Sequence, residues 1–259
     1  ANIVMDVVFV VCFHMGVGGV AWATFLCQGV ASVLAAWTLF RRLRGVPAPE
    51  RHPLFSWRML GRIARIAVPS ILQQSFISVG NLFIQSLVNG FGSAVVAGYS
   101  AAVKLNTFAL TGFTTLGNGL SSFTAQNIGA GRPERVKQGF RAGAGMTLCV
   151  AVPFIAAFVF AGPQMVGLFL NIVAPFYVLI SLKLAADGVL RGAGCMGQFM
   201  TATFTDLILR VILAFLLAPR FGAAGIWMSW PLGWAVAAAL SLGFYFTGGW
   251  RKRVGSIDK

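Results

Sequence analysis

Acidic side chains are scarce: six Asp and Glu stand among 259 residues, beside two His and four Cys. With so few carboxylates, none arranged as a catalytic pair, and no Ser/His/Asp order, general acid–base hydrolysis is excluded. Cys12, Cys27, Cys149 and Cys195 lie far apart without CxxC or metal-type spacing, so neither a disulfide framework nor a zinc site is indicated. His14 and His52 have no partner at ligand spacing. The sequence predicts no enzyme, no bound metal and no organic cofactor.

Charge is scarce too, at 10% of residues where a soluble domain carries about 25%. Hydrophobic residues make up 58% and the mean hydropathy is +0.81, which excludes a soluble or disordered chain. Apolar runs cover roughly 17–40, 67–90, 94–125, 139–161, 172–192, 199–217 and 223–246, with a partial one before residue 14. Each full run is long enough to cross a hydrocarbon core of about 30 Å. Without alternating ten-residue patterns for a barrel, the runs must be helices, since lipid leaves backbone groups no partners but their own. The expected fold is an all-α integral membrane protein of about seven full spans and a stub.

The net charge of +14 is explained by topology. Arg41, Arg42, Arg44, Arg51, Arg58, Arg62, Arg65, Arg132, Arg135, Lys137, Arg141, Arg191, Arg251, Lys252, Arg253 and Lys259 fall in loops on one side of the alternating spans, and Arg220 alone on the other. Sixteen against one makes the first side cytoplasmic, the C-terminal tail included. No basic face is left for nucleic acid. The loop QNIGAGRPERVKQG lacks the GxxxxGK[ST] order, so no nucleotide is expected there either. Lys104, Lys183 and Arg210 remain inside spans.

Polar residues within the spans are ordered. Ser70, Gln74, Ser78, Asn81, Gln85 and Asn89 recur every three or four residues, which holds them within an arc of about 100° on one helix face. Ser100, Lys104, Thr107, Thr111, Thr115, Asn118 and Ser122 fall within about 80° on the next span, with Asn106 opposite. Such stripes either line a central cavity or bond neighbouring helices. The cavity reading takes Gln74, Ser78, Asn81, Gln85, Asn89, Lys104, Thr111, Asn118 and, from a later span, Tyr177 as substrate contacts. Lys104 snorkels from an outer span end or faces the outer cavity.

Two charge pairs, Lys183 with Asp187 and Asp206 with Arg210, are each four residues apart, so each shares a helix face and neutralises itself. They are structural ion pairs or, alternatively, carboxylates that exchange a proton or sodium during transport. Asp187 and Asp206 are the coupling candidates, Asp187 the better one because Tyr177 and Ser181 share its span. Pro69, Pro153, Pro175 and Pro231 interrupt spans and free backbone carbonyls.

The opening NIVMDVVFVVCFHMGVGGVAWAT parallels DLILRVILAFLLAPRFGAAGIWMSW near the end, with Gly16 and Gly19 against Gly222 and Gly225. Internal repeats of this kind mark transporter folds. They divide the chain into the last helices of a first lobe (1–40), a basic cytoplasmic linker (41–65) and a second six-helix lobe with its tail (66–259). The start, with no initiator Met, positive n-region or cleavage site, reads as the middle of something.

The opening motif, together with IAVPSILQQSFISVGNLFIQSLVNGFGSAVVAGYSAAVKLNTFA, FTAQNIGAGRPERVKQG and APFYVLISLKLAADGVLRGAG, resembles the multidrug and toxic compound extrusion (MATE) family of the MOP superfamily. The resemblance covers nearly the whole chain. It implies a twelve-helix, two-lobe antiporter, driven by protons or sodium, that exports drugs or amphipathic organic cations by alternating access in the bacterial inner membrane. The first five helices, with the first-helix acid that many bacterial members use, would then come from a missing stretch or a separate chain. The junction at Asn171 and Ile172 is shorter than the family's usual connection. A lipid-linked oligosaccharide flippase of related architecture, whose cavity would hold several cations for pyrophosphate, is the alternative, as is an inactive fragment. The stripes, chiefly amides and hydroxyls with Lys104 as their one cation, favour the exporter.

Overall fold

Apolar runs that must satisfy their own backbone become helices in the computed structural model, which describes residues 2–45, 55–165 and 168–253. The helices among these residues are α1 (Asn2–Val7), α2 (Gly16–Leu43), α3 (Trp57–Asn89), α4 (Ser93–Gly129), α5 (Pro133–Met165), α6 (Leu168–Val173), α7 (Tyr177–Gly192), α8 (Met196–Phe221) and α9 (Ala223–Phe246). Linker residues 46–54 and tail residues 254–259, with Arg51, His52 and Lys259, lie outside the described residues.

Six helical stretches are both long and apolar enough to cross a membrane: Gly16–Leu43, Trp57–Asn89, Pro133–Phe160, Phe169–Gly192, Met196–Phe221 and Ala223–Phe246. The expected seventh span is α4, whose 37 residues would run about 55 Å at 1.5 Å per residue. Its length suffices, but its row of Ser, Thr, Lys and Asn thins its apolar content. Helices α3 and α5 also begin earlier than their apolar runs, at Trp57 and Pro133. Helical hydrogen bonds do not stop at the lipid boundary, so residues 57–65 of the expected linker are helical.

The chain forms two units, Ala1–Ser56 and Trp57–Lys259. In the first, α1 continues into a π-helical turn (Val8–Cys12), the chain reverses, and α2 runs back. Asn2 Nδ2 donates to Thr24 Oγ1 at 3.3 Å, and Cys27 Sγ meets Met5 Sδ at 3.4 Å. Asp6 keeps one buried carboxylate oxygen without a hydrogen-bond partner among the described residues.

The internal repeat is visible in backbone geometry. Gly16 begins α2 at φ +55°, and its counterpart Gly222 joins α8 to α9 at φ +60°, a region that side-chain-bearing residues enter at a cost. Three residues on, a Cβ on Gly19 would stand 3.0–3.2 Å from Met15 and Phe9 atoms, and one on Gly225 would collide with the Leu217 carbonyl. Both copies thus use one glycine to turn and a second to let the antiparallel helices close.

In the second unit, lipid offers no hydrophobic drive between helices, so close packing of small residues substitutes for it. A Cβ on Gly188 would strike the Gly117 carbonyl, one on Gly192 the Ser121 carbonyl, and one on Gly117 would lie 2.8 Å from the Leu184 carbonyl. Helices α4 and α7 therefore touch backbone to backbone. Around this seam an aromatic core gathers Tyr99, Phe113, Phe158, Phe169, Tyr177, Trp227, Trp230 and Trp234. A second core, toward the other helix ends, stacks Phe140 on Tyr245 and Tyr245 on Trp250. Large apolar side chains such as Phe108, Phe160 and Leu216 are exposed outside, as a lipid-facing surface requires.

Asn171 and Ile172, at the junction that reads as short in sequence, lie within a helix. Helix α6 ends at Val173, a 3₁₀ turn (Ala174–Phe176) carries Pro175, and α7 starts at Tyr177. Pro69 lies inside α3 and Pro231 inside α9; Pro153 falls within α5.

Candidate functional site

Five helices of the second unit leave a cavity of about 420 Å³ between them. Helix α3 contributes Gln73, Gln74 and Ile77; α4 contributes Leu110, Thr114 and Asn118; α7 contributes Ile180, Lys183, Leu184, Asp187 and Arg191. Helix α8 adds Phe199, Thr203, Asp206, Leu207 and Arg210, and α9 adds Trp230 and Trp234.

Both charge pairs face this space. Lys183 Nζ lies 2.7 Å from Asp187 Oδ2, and Arg210 Nη2 lies 2.6 Å from Asp206 Oδ2. All four residues are buried, where an unpaired charge would cost several kcal/mol. Each pair is tied further. Ser241 on α9 donates to Asp187 Oδ1 at 2.6 Å, and the Arg210 guanidinium sits 4.5 Å from the centre of the Trp230 ring, a favourable cation–π distance. Asp206 Oδ1 lies close over Gly233, where a Cβ would be 2.6 Å away, so α9 passes the carboxylate only because that position carries no side chain.

Arg191, half-buried at the end of α7, is held differently. Its Nη2 donates to Asn118 Oδ1 at 2.8 Å, and its guanidinium lies 5.3 Å from the Phe199 ring centre. It belongs to none of the three ion pairs among the described residues. Three cations and two carboxylates therefore line the cavity.

The structure brings four of the candidate residues, Gln74, Asn118, Asp187 and Asp206, onto one wall system. Ser78, Asn81, Gln85, Asn89, Lys104, Thr111 and Tyr177 are not on it. Ser78 and Thr111 return their hydroxyls to carbonyls one turn back, of Gln74 and Thr107. Gln85 Nε2 donates to Asn89 Oδ1 at 2.9 Å. Asn81 and Lys104 are exposed. Tyr177 is fully buried, and its hydroxyl donates to Asn106 Oδ1 at 2.8 Å, so the residue opposite the α4 stripe is the one the core consumes.

The cations are the main departure from the sequence expectation. Lys104 is not the cation of this cavity; Lys183, Arg191 and Arg210 are. In sequence the first and third are ion-pair members and the second is a loop residue. Arg191 lies one residue before the end of its helix, which makes it look like a cytoplasmic flank in sequence. Ser241, with no charged neighbour in sequence, carried no signal at all.

Comparison with known proteins agrees with this architecture. The sequence profile of the MatE family matches residues 69–216. The probable multidrug resistance protein YpnP of Bacillus subtilis is 26% identical over 96% of this chain and 59% of its own length. The probable multidrug resistance protein NorM of Thermotoga maritima is 23% identical over 93% of this chain and 55% of its own length. This chain thus spans a little over half of the relatives it matches. Among solved structures, a MOP superfamily transporter from Pyrococcus furiosus superposes with a TM-score of 0.84 at 22% identity, over 100% of this chain and 61% of that one.

Proposed function

Because the chain belongs to the MatE family, a family of membrane transporters, we propose that it is the second lobe, with the end of the first, of a secondary transporter that exports amphipathic organic molecules. The observation that carries the reading is the five-helix cavity holding Asp187 and Asp206 inside the membrane-spanning part of the lobe. A first lobe completes it, and the polar stripes of α3 and α4 line the space between the two. Alternating access then opens that space to either side in turn.

A proton or sodium ion drives the cycle through Asp187. Its two oxygens already have Lys183 and Ser241 as partners, so a cation arriving there competes with Lys183. That competition couples occupancy of the carboxylate to the packing of α7 on α9. The transporter sits in the bacterial inner membrane with its C-terminus in the cytoplasm, on the charge asymmetry of the loops. The organic cations implied by family resemblance are one charge class of substrate; a flippase-like anionic cargo is the second reading, favoured by the three cations of the cavity.

The test is gradient-driven efflux from proteoliposomes containing this lobe completed by its first lobe, with proton and sodium gradients imposed separately. Efflux that follows one gradient and is lost in Asp187→Asn supports the proposal. Efflux indifferent to both gradients refutes it.

A further inference from the structure

The charge balance of the cavity points to the chemistry of its occupant, an inference that rests on the transport reading above. Each carboxylate already carries a cation, Asp187 with Lys183 on one oxygen and Ser241 on the other, and Asp206 with Arg210 on Oδ2 while its buried Oδ1 has no hydrogen-bond partner among the described residues. Arg191 hydrogen-bonds the neutral Asn118 amide oxygen and lies on the face of Phe199, the Asp187 carboxylate acts on it only through space, and its Nε is buried without a hydrogen-bond partner among the described residues. A guanidinium presents five donors in a planar fork suited to a carboxylate or phosphate. Held half-buried between α4 and α8, it attracts an anion more strongly than a fully solvated guanidinium would.

The apolar surface is placed to complement it. Phe199, Ile180, Trp230 and Trp234, each more than nine-tenths buried, line the cavity with Arg191 and make part of its wall apolar. An organic cation would find the reverse: one surplus positive charge and no carboxylate without a cation already on it.

We propose that this cavity binds organic anions, with the carboxylate or phosphate seated on Arg191 and the apolar body against Phe199 and the two tryptophans. The cargo's source is either a carboxylic acid or a phosphoryl compound, and a matched probe series separates them.

The experiment is isothermal titration of the purified chain in a neutral maltoside detergent with 1-naphthylacetate, 1-naphthyl phosphate and 1-naphthylmethylammonium, which share one apolar body. At least tenfold tighter binding of an anion than of the ammonium is expected, and the tighter of the two anions identifies the source. Arg191→Gln should erase the preference, and Arg191→Lys should keep part of it. Asn118→Asp, which supplies Arg191 with a carboxylate, should erase it without removing the arginine and so serves if Arg191→Gln does not fold. Equal or tighter binding of the ammonium, or an anion preference that survives both Arg191→Gln and Asn118→Asp, overturns the proposal while leaving transport intact. Failure of all three probes to bind overturns it together with the cavity's role as a substrate site.

Discussion

Ser241 on α9 donates its hydroxyl to the one Asp187 oxygen that Lys183 leaves open, at 2.6 Å, while Lys183 holds the other at 2.7 Å. Each oxygen of the carboxylate therefore has a partner, one from its own helix and one from α9. Ser241→Ala leaves a buried acceptor short of a partner, a loss of about 1–3 kcal/mol. Thermal unfolding in detergent should show it as a lower midpoint with the fold unchanged.

Asp187→Asn strands the Lys183 ammonium, buried on the same helix face, and is expected to cost on the order of 3–5 kcal/mol. Lys183→Met combined with Asp187→Asn removes both charges and should recover most of that stability, a coupling that a double-mutant cycle measures. Efflux should stay abolished in the double variant if Asp187 couples transport. Recovery of efflux along with stability would eliminate it as the coupling site.

The backbone contact of α4 with α7 makes a sharp prediction at glycine. Gly188→Ala drives a methyl into the Gly117 carbonyl, overpacking expected to cost about 1–3 kcal/mol or more. Gly98→Ala and Gly145→Ala, helical positions with open space around them, should leave stability unchanged or raise it by up to about 1 kcal/mol. Unfolding midpoints of the three variants check this directly.

Orientation is tested by labelling in a background from which Cys12, Cys27, Cys149 and Cys195 have been removed. Phe91→Cys, in the turn between α3 and α4, should react with an impermeant maleimide added outside intact cells. Arg132→Cys, in the next turn, should react only after the membrane is opened. The reverse pattern would invert the topology.

The helices and their polar faces were legible because each depends on local periodicity. Gln74 and Asn118 could be placed on polar helix faces from spacing alone, and both ion pairs from their four-residue separation. Boundaries were less so at α3 and α5, where charged residues that end an apolar run do not end a helix. What escaped was whatever joins distant segments. The bond from Tyr177 to Asn106 spans 71 positions and that from Ser241 to Asp187 spans 54, separations that no local pattern encodes. Arg191 reads as a flank in sequence for the same reason, since its partner Asn118 lies on α4.

Because Lys183 pairs with Asp187 on α7, and Arg210 with Asp206 on α8, neutralisation needs no neighbouring helix. During synthesis each of these pairs can leave the insertion machinery already neutralised on its own helix, before the rest of the lobe exists, with Arg191 and Arg220 left near the ends of their helices. Pairs split between helices would oblige one bare charge to wait in lipid for its partner. The four-residue spacing thus frees the order of membrane entry from the order of assembly.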